Sequence, residues 1–202
     1  MARHADVLEF TVLGVLADGP LHGYELRKRL TAILGPFRAL SYGSLYPCLH
    51  RLTDRGWVLA EAAPHPGAIG RRPKVDYALT PEGKEAFAGW VADTGPGFWD
   101  DEAFAARLAF FSRTEARVRL LILEGRRSRL QERLRSLEAS IDRAKDRVDV
   151  YEWQLHQHGI DGATREVGWI SQLIEAERSS RATKKAVRKA AKSAAMTRKK
   201  DQ

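Results

Sequence analysis

The sequence contains a single cysteine, Cys48, among its 202 residues. One cysteine excludes an intrachain disulfide and a cysteine-built zinc or iron–sulfur site, so we expect a reducing, intracellular setting. Apolar runs are short and none approaches the roughly 18 residues of a membrane span, and the N-terminus has no secretory pattern. We therefore expect no membrane association.

The motifs of common enzymes are also missing. No serine or cysteine stands in a nucleophile elbow, and we find neither a phosphate-binding glycine loop nor a recognisable carboxylate pair. His156 and His158 are two residues apart, which places them on different faces of a helix, and no third ligand accompanies them. We expect no enzymatic activity, no cofactor and no metal. For Cys48, a redox role and a small buried thiol both stay open.

Acidic residues are scarce only at the C-terminal end. The net charge is +8, yet residues 1–95 carry 11 basic and 10 acidic side chains, and residues 96–175 carry 13 and 14. Residues 176–202 carry 10 basic and 2 acidic side chains. The excess charge therefore belongs to a lysine- and alanine-rich tail, residues 181–202, which we expect to be disordered.

Periodicity predicts three helices, two strands and a further helix in the first 93 residues. The third helix has a buried stripe of Leu45, Leu49 and Leu52, and we expect Pro47 near its start. Thr80 followed by Pro81 is a strong signal for the start of the last of these helices. The helices are expected from Asp6, near His22, from Ser41 or Ser44, and from Thr80, and the strands over residues 57–59 and 75–79.

The segment Thr94-Gly95-Pro96-Gly97 is a glycine- and proline-rich break between two periodic regions. We place a domain boundary there. The expected organisation is a first domain of residues 1–94, a helical domain of residues 95–180 and the basic tail of residues 181–202.

The second domain contains the most regular pattern of the sequence. Apolar residues separated alternately by four and three residues form an a/d pattern over more than three heptads, which predicts one long helix ended by Gly159. This helix could pack within its own subunit or against a second chain. Its apolar positions are Leu130, Leu134, Leu137, Ile141, Ala144, Val148, Tyr151 and Leu155.

Four sequence blocks in the first domain resemble the PadR family of transcriptional regulators. They are Leu8-Glu9-Phe10 with Leu13-Gly14 and Leu16, Gly19 to Leu26, Tyr42 to Leu52, and Tyr77 to Gly83. The blocks occur in the family's order and spacing over residues 6–93. The resemblance implies a winged helix-turn-helix domain in a cytoplasmic, dimeric protein that usually represses transcription. We therefore expect a mainly α protein with a winged helix-turn-helix domain and a C-terminal helical, coiled-coil-like dimerisation domain.

Polar and basic residues of this first domain are candidates for contact with a double-stranded DNA operator. Hydroxyl groups suit phosphate contacts, and arginine or histidine on the third helix could reach phosphates or base edges. The loop between the strands carries basic residues that could clamp the duplex. For two of the tyrosines, simple packing of the ring is an alternative. The candidates are Tyr24, Tyr42, Ser44, Tyr46, His50, Arg51, Arg71, Arg72 and Lys74.

The resemblance favours the second reading of the heptad pattern, in which the C-terminal helices join two chains. A homodimer would present two wings to the two halves of a palindrome. The predicted dimer interface consists of Leu130, Leu134, Leu137, Ile141, Val148, Tyr151 and Leu155.

Aromatic residues gather near the domain boundary. Some PadR-like regulators bind flat aromatic ligands, so the resemblance suggests an effector pocket at Trp90, Trp99, Phe104 and Phe111. Ordinary core packing is the alternative for these side chains.

We therefore expect a homodimeric, sequence-specific DNA-binding repressor, which a small aromatic ligand could release. One alternative is an architectural protein that binds DNA nonspecifically through its basic tail. The other is a scaffold whose winged domain contacts another protein.

Overall fold

A computed structural model describes residues 4–35, 42–62, 75–95, 97, 99–144 and 149–200. The chain divides into two compact units, residues 1–115 and 116–202. The fold is mainly helical with one small antiparallel sheet, as the sequence predicts. In the described part of the chain, no helix combines the length and the hydropathy needed to cross a membrane.

Three helices build most of the core of the first unit. Helix α1 (His4–Leu16) lies at its centre and packs against α2 (Gly23–Leu34) and α3 (Tyr42–Asp54). Almost every described residue of α1 is buried, because it is contacted on several sides. The buried leucines of α2 and α3 repeat at helical spacing, as the amphipathic pattern requires. They are Leu26, Leu30, Leu34, Leu45, Leu49 and Leu52.

A three-stranded antiparallel sheet completes the winged domain. It contains β1 (Leu21–His22), β2 (Val58–Ala62) and β3 (Val75–Leu79) in the order β1-β3-β2. The central strand β3 pairs through Tyr77 with β1 on one side and with β2 on the other. The sequence predicts β3 correctly, but it starts β2 one residue early and ends it three residues early. It misses β1, because a pair of residues is too short for an alternating pattern.

Local signals fix both ends of the connection from α3 to α4 (Pro81–Ala92). Gly56 has a φ of +71°, a left-handed conformation that favours glycine, and it ends the turn after α3. The Thr80 hydroxyl accepts a hydrogen bond from the Gly83 N–H at 3.0 Å, as its capping position predicts. Pro47 lies in the second turn of α3, so α3 lacks the bond that an N–H at this position would donate to Gly43.

Helix α5 (Asp101–Ala109) and a 3₁₀ turn (Phe111–Arg113) follow α4. Helix α5 packs against α1 and α2, so it belongs to the first unit. Its Arg107 side chain is fully buried, and it donates hydrogen bonds to the carbonyl oxygens of Trp90, Val91 and Asp93. A guanidinium thus caps the C-terminal end of α4.

The second unit is an antiparallel pair of long helices, α6 (Ala116–Ala144) and α7 (Val150–Lys200). Ion pairs between described residues connect the two helices. Arg119 Nη2 lies 2.7 Å from Glu177 Oε2. Arg178 Nη2 lies 2.9 Å from Glu124 Oε1. Arg126, which is buried, pairs with Glu166.

The prediction of one continuous heptad helix is wrong. Helix α6 ends at Ala144 and α7 begins at Val150, where Asp149 Oδ1 accepts hydrogen bonds from the N–H groups of Tyr151 at 2.7 Å and Glu152 at 2.9 Å. A capping aspartate satisfies the first N–H groups of a new helix, so it starts a second segment inside the a/d pattern.

The prediction that Gly159 ends the helix is also wrong, because α7 passes through it. A Cβ at Gly159 would lie 3.8 Å from Leu137 Cδ1, an ordinary packing distance on the α6 side. Helix α7 extends to Lys200, so the structure gives helical backbone to most of the basic tail that the sequence predicts to be disordered.

Candidate nucleic-acid interface

Helix α3 turns one face into the core and the opposite face to solvent. Its buried side holds Leu45, Cys48, Leu49 and Leu52. The residues that remain exposed repeat every three or four positions, so they form a single stripe along the helix. We call this stripe the outer face of α3. It consists of Gly43, Tyr46, Pro47, His50 and Asp54.

Tyr46 lies where the outer face of α3 meets the start of α2. A Cβ at Gly23 would lie 3.8 Å from Tyr46 Oη and 3.4 Å from Tyr77 Cε2, so both tyrosine rings lie beside the start of α2. Tyr77 is buried, and this burial, followed by the effect of Tyr46, raises the pKa of the Tyr77 phenol above its ordinary value. The hydroxyl end of Tyr46 thus lies beside the start of α2, and the side chain remains partly exposed.

Tyr24 projects from the first turn of α2 and is 72% exposed. His22 is the N-cap of α2, and its side chain makes no capping hydrogen bond. The first N–H groups of a helix lack intrahelical partners and favour an anion. Tyr24 and this helix start are therefore placed together in a way that suits a phosphate group.

Arg51 lies on the flank of α3 and pairs with a buried carboxylate. Its Nε donates to Glu9 Oε1 at 2.8 Å, and the Nη1 of Arg55 donates to Glu9 Oε2 at 2.7 Å. Glu9 is 2% exposed, whereas Arg51 and Arg55 are 42% and 46% exposed. The hydrogen bond that Arg51 donates to Glu9 is the main cause that raises the pKa of Arg51. Each guanidinium thus contacts Glu9 and also reaches solvent.

The sequence interpretation missed Glu9 and Arg55. The one available signal is that Glu9 interrupts an apolar run in α1, between Leu8 and Phe10. A carboxylate in a helix that is otherwise buried needs a cation nearby. That signal predicts a partner for Glu9, but it does not identify Arg51 or Arg55.

The remaining residues predicted to contact DNA differ in their exposure, and some of them lie outside the described residues. His50 is exposed on the outer face of α3, and Ser44 is partly buried inside the helix. Tyr42 begins α3, but its side chain lies outside the described residues. The predicted cations of the wing, Arg71, Arg72 and Lys74, also lie outside the described residues.

A second contact that the sequence did not reveal joins β1 to β3. His22 and Asp76 are opposite each other in the antiparallel register, and His22 Nδ1 approaches Asp76 Oδ1. Both side chains remain partly exposed. This contact lies beside the α2 start, and it links that start to the central strand of the sheet.

The predicted effector-pocket residues lie in the first unit, and each is buried or partly buried. Trp90 packs edge-on against Trp57 with 5.5 Å between ring centroids, and it lies 6.5 Å from Phe10. Phe104 is buried, whereas Trp99 and Phe111 are partly buried. A ligand pocket formed by Trp90, Trp99, Phe104 and Phe111 stays a prediction.

The predicted dimer residues divide between the two long helices. On α6, Leu130 and Ile141 are buried within the chain, and Leu134 and Leu137 are partly buried. On α7, Tyr151 is 82% exposed and Leu155 is 71% exposed. Val148 lies outside the described residues. The α6 residues are thus largely used inside the chain, whereas the α7 residues are open.

No cluster of three histidine, cysteine or acidic side chains that could hold a metal ion occurs among the described residues. The side chains gathered around α3 and the start of α2 are hydroxyls, a histidine and arginines, which are groups that contact phosphates and base edges.

Three helices, a small sheet and a fourth helix, with α3 exposed along one face, define a winged helix-turn-helix domain. Residues 12–89 match the family model described as the transcriptional regulator PadR-like family. Over these residues the chain is similar to the PadR-like family.

Comparison with known proteins gives the same family. The negative transcriptional regulator PadR of Bacillus subtilis (strain 168) is 29% identical over 85 residues, which are 42% of this chain and 45% of that protein. The chain therefore matches less than half the length of this curated relative.

Solved structures are similar at low scores. A crystal structure of Bacillus subtilis PadR in complex with operator DNA has 21% identity and a TM-score of 0.41, with 85% of this chain and 99% of that chain covered. A putative transcriptional regulator from Thermoplasma acidophilum has 28% identity and a TM-score of 0.37, with 42% and 75% covered.

Proposed function

We propose that this chain is a sequence-specific DNA-binding regulator that represses transcription as a homodimer. The observation that carries the proposal is the outer face of α3, a solvent-exposed stripe on the third helix of a winged helix-turn-helix domain. In such domains this helix enters the major groove. The family match of residues 12–89 supports the same conclusion.

The contacts fall into two groups in this proposal. Tyr46 and His50 on the outer face of α3 are assigned to base edges, because the face is exposed. Tyr24 and the α2 start are placed to bind a backbone phosphate. Ser44, and Tyr42 at the start of α3, are assigned to phosphates, as their hydroxyls suit that role.

The wing supplies the remaining contacts. Strand β2 ends at Ala62 and strand β3 begins at Val75. The residues between them therefore connect two neighbouring strands of one sheet. We assign Arg71, Arg72 and Lys74 to the DNA backbone or the minor groove beside α3. Phosphate contacts of this kind raise affinity and make it dependent on salt.

We further propose that Tyr151 and Leu155 of α7 meet a second copy of the chain. Two large apolar side chains with such exposure are costly in water and suit an interface. In functional terms residues 95–180 then serve dimerisation and residues 1–94 serve DNA binding, although α5 packs in the first unit. Release by an aromatic ligand at Trp90, Trp99, Phe104 and Phe111 remains a further part of the proposal.

A second candidate is nonspecific, architectural DNA binding by the basic end of α7. Residues 176–202 carry 10 basic and 2 acidic side chains, and the backbone of α7 is helical to Lys200. A helix of this charge binds phosphates without choosing a sequence. Its contribution must therefore be separated from that of the winged domain.

Fluorescence anisotropy across a salt series tests the two candidates. The probes are a duplex selected by the full chain from a random library and a scrambled control. A chain ending at Arg181 is compared with the full chain and with a full-length variant in which Lys184, Lys185, Lys189 and Lys192 are glutamine. This variant keeps the length of the chain while it removes charge.

Repressor function predicts that both altered proteins still prefer the selected duplex by about a thousandfold. Architectural binding predicts a ratio near one and an affinity that collapses in both altered proteins. The specificity ratio is the deciding quantity, because nonspecific affinity also depends on the tail. Failure to select any duplex would contradict specific regulation.

A further inference from the structure

Helix α1 is an apolar core helix that buries one carboxylate. The neighbours of Glu9 in sequence, Leu8 and Phe10, are buried, and so is Glu9 itself. A buried carboxylate without a partner is strongly destabilising, so its position in the core requires compensation. Both carboxylate oxygens are compensated separately, one by Arg51 and the other by Arg55.

The two arginines that compensate Glu9 are four residues apart: Arg51 lies in the last turn of α3, and Arg55 directly follows the helix, with its N–H donating to the Arg51 carbonyl oxygen at 3.1 Å. Residues four apart lie above one another on a helix, so one carboxylate reaches both. Two hydrogen bonds, of 2.8 and 2.7 Å, tie the C-terminal end of α3 to α1 and oppose a rotation of α3 about its axis. Arg55 also lies over the Trp57 ring, 5.2 Å from its centroid, which restricts this guanidinium further.

The rotation of α3 decides what its outer face presents. Tyr46 and His50 lie on that face, and Arg51 lies on its flank with part of the guanidinium exposed. A small rotation would move Tyr46 and His50 sideways across a groove. Contacts to base edges depend on such displacements more than contacts to phosphates do, because the phosphates carry no sequence information and base edges are read by hydrogen bonds of defined geometry.

We infer that Glu9 is a positioning residue for DNA recognition: it holds Arg51 and Arg55, and through them it sets the orientation of the outer face of α3. The exposed edge of the Arg51 guanidinium is thereby presented to a phosphodiester beside the groove. This inference rests on the proposed DNA-binding function. Glu9 would thus be needed for preference between DNA sequences, although its negative charge repels DNA.

The charge of Glu9 makes the test discriminating. Glu9→Gln keeps the shape of the side chain and removes its negative charge. If charge alone mattered, every duplex would bind Glu9→Gln more tightly, because a repulsive charge is gone. If Glu9 positions α3, the selected duplex binds more weakly while the scrambled duplex binds equally or more tightly.

The experiment measures both duplexes by anisotropy with the full chain, Glu9→Gln, Arg51→Lys and the double variant. We expect each single variant to lose about tenfold of the preference for the selected duplex. The double variant should lose little more than either single variant, because both changes break the same contact. Glu85→Gln is the matched control, since Glu85 is exposed on α4 and its replacement removes the same charge from the first unit. It should shift both duplexes by the same factor.

Folding is monitored in the same samples by far-ultraviolet circular dichroism and thermal unfolding. Arg51→Lys changes a side chain that is 42% exposed and preserves its charge, so it keeps the test open if Glu9→Gln unfolds. An unchanged preference in Arg51→Lys, or equal factors for both duplexes in folded Glu9→Gln, overturns the inference. Absence of preference in the unaltered chain contradicts the proposed function instead.

Discussion

Arg107 Nη2 donates a hydrogen bond to the carbonyl oxygen of Asp93 at 2.6 Å. This bond joins α5 to the residue that follows α4, and two further bonds reach Trp90 and Val91. Burial lowers the pKa of Arg107 to about 10. The guanidinium is therefore still charged at neutral pH, and three carbonyl oxygens compensate for the water it has lost.

Replacing Arg107 by methionine should destabilise the first unit. The change preserves most of the apolar volume but leaves the carbonyls at the end of α4 without these donors, at a cost of about 2 to 4 kcal/mol. Thermal unfolding followed by circular dichroism measures the loss. Arg113→Met is the control, since Arg113 pairs with Asp18 on the surface and should cost less than about 1 kcal/mol. Equal losses would contradict a special role for Arg107.

The pKa of Arg107 also predicts the pH dependence of stability. Its pKa in the folded protein is about 10 and lies below its ordinary value, so the unfolded chain binds more protons once the pH rises above about 10. The contribution of Arg107 to folding therefore becomes more favourable as the pH rises through this value. Below about pH 9 its contribution is constant, and the unfolding free energies of the unaltered chain and Arg107→Met should run parallel there. Urea titrations at several pH values check this.

Gly14→Ala should destabilise the core. A Cβ at Gly14 would overlap the Phe110 ring, which packs edge-on against Phe10 with 5.5 Å between centroids. Overpacking of this kind costs about 1 to 3 kcal/mol. Gly89→Ala is the matched control, because a Cβ at Gly89 in α4 meets no heavy atom within 4 Å. Alanine there should stabilise the helix by up to about 1 kcal/mol, and opposite signs in the two melts are the expected outcome.

Tyr151→Glu and Leu155→Glu should weaken self-association. Both side chains are highly exposed on α7, and a carboxylate buried at an interface without a partner costs several kcal/mol. Sedimentation equilibrium should show a rise of at least about 100-fold in the dissociation constant. Gln154→Glu adds the same charge at an exposed position of α7 and tests charge alone. A dimer unaffected by either Tyr151→Glu or Leu155→Glu would place the interface elsewhere.

Glu166→Ala should destabilise the helical pair of the second unit. Removing Glu166 leaves the buried Arg126 without this carboxylate, which costs about 3 to 5 kcal/mol. Glu175→Ala removes a carboxylate that is largely exposed and pairs with Arg178 within α7, and it should cost less than about 1 kcal/mol. Denaturant unfolding of both variants provides the comparison.

The sequence predicts those parts of the fold that depend on neighbouring residues. Thr80 followed by Pro81 gives the start of α4, because a cap and a proline act within one helical turn. The bond from Arg51 to Glu9 spans 42 residues, and no local pattern pairs these two side chains. The a/d pattern likewise shows which residues are apolar, but it does not show that Asp149 starts a new helix there.

Exposure of the candidate site was partly predictable for the same reason. His50 and Tyr46 lie opposite a leucine stripe, so helical periodicity alone places them outward. Arg51 lies at the border between the two faces, where periodicity does not decide between a partner inside the protein and one outside it. Inside the protein, Arg51 pairs with Glu9, because a buried carboxylate needs a cation. Only the three-dimensional structure shows that Glu9 is buried.

Gly43 and Pro47 on the outer face of α3 have no side-chain hydrogen-bonding groups. Each half of an operator would then offer few base pairs for direct reading, with Tyr46 and His50 as the main readers. We expect binding sites with a short, degenerate consensus, in which half-site spacing and the ease of bending the duplex carry much of the information. The base sequence of such sites can change during evolution while the spacing of the half-sites is maintained.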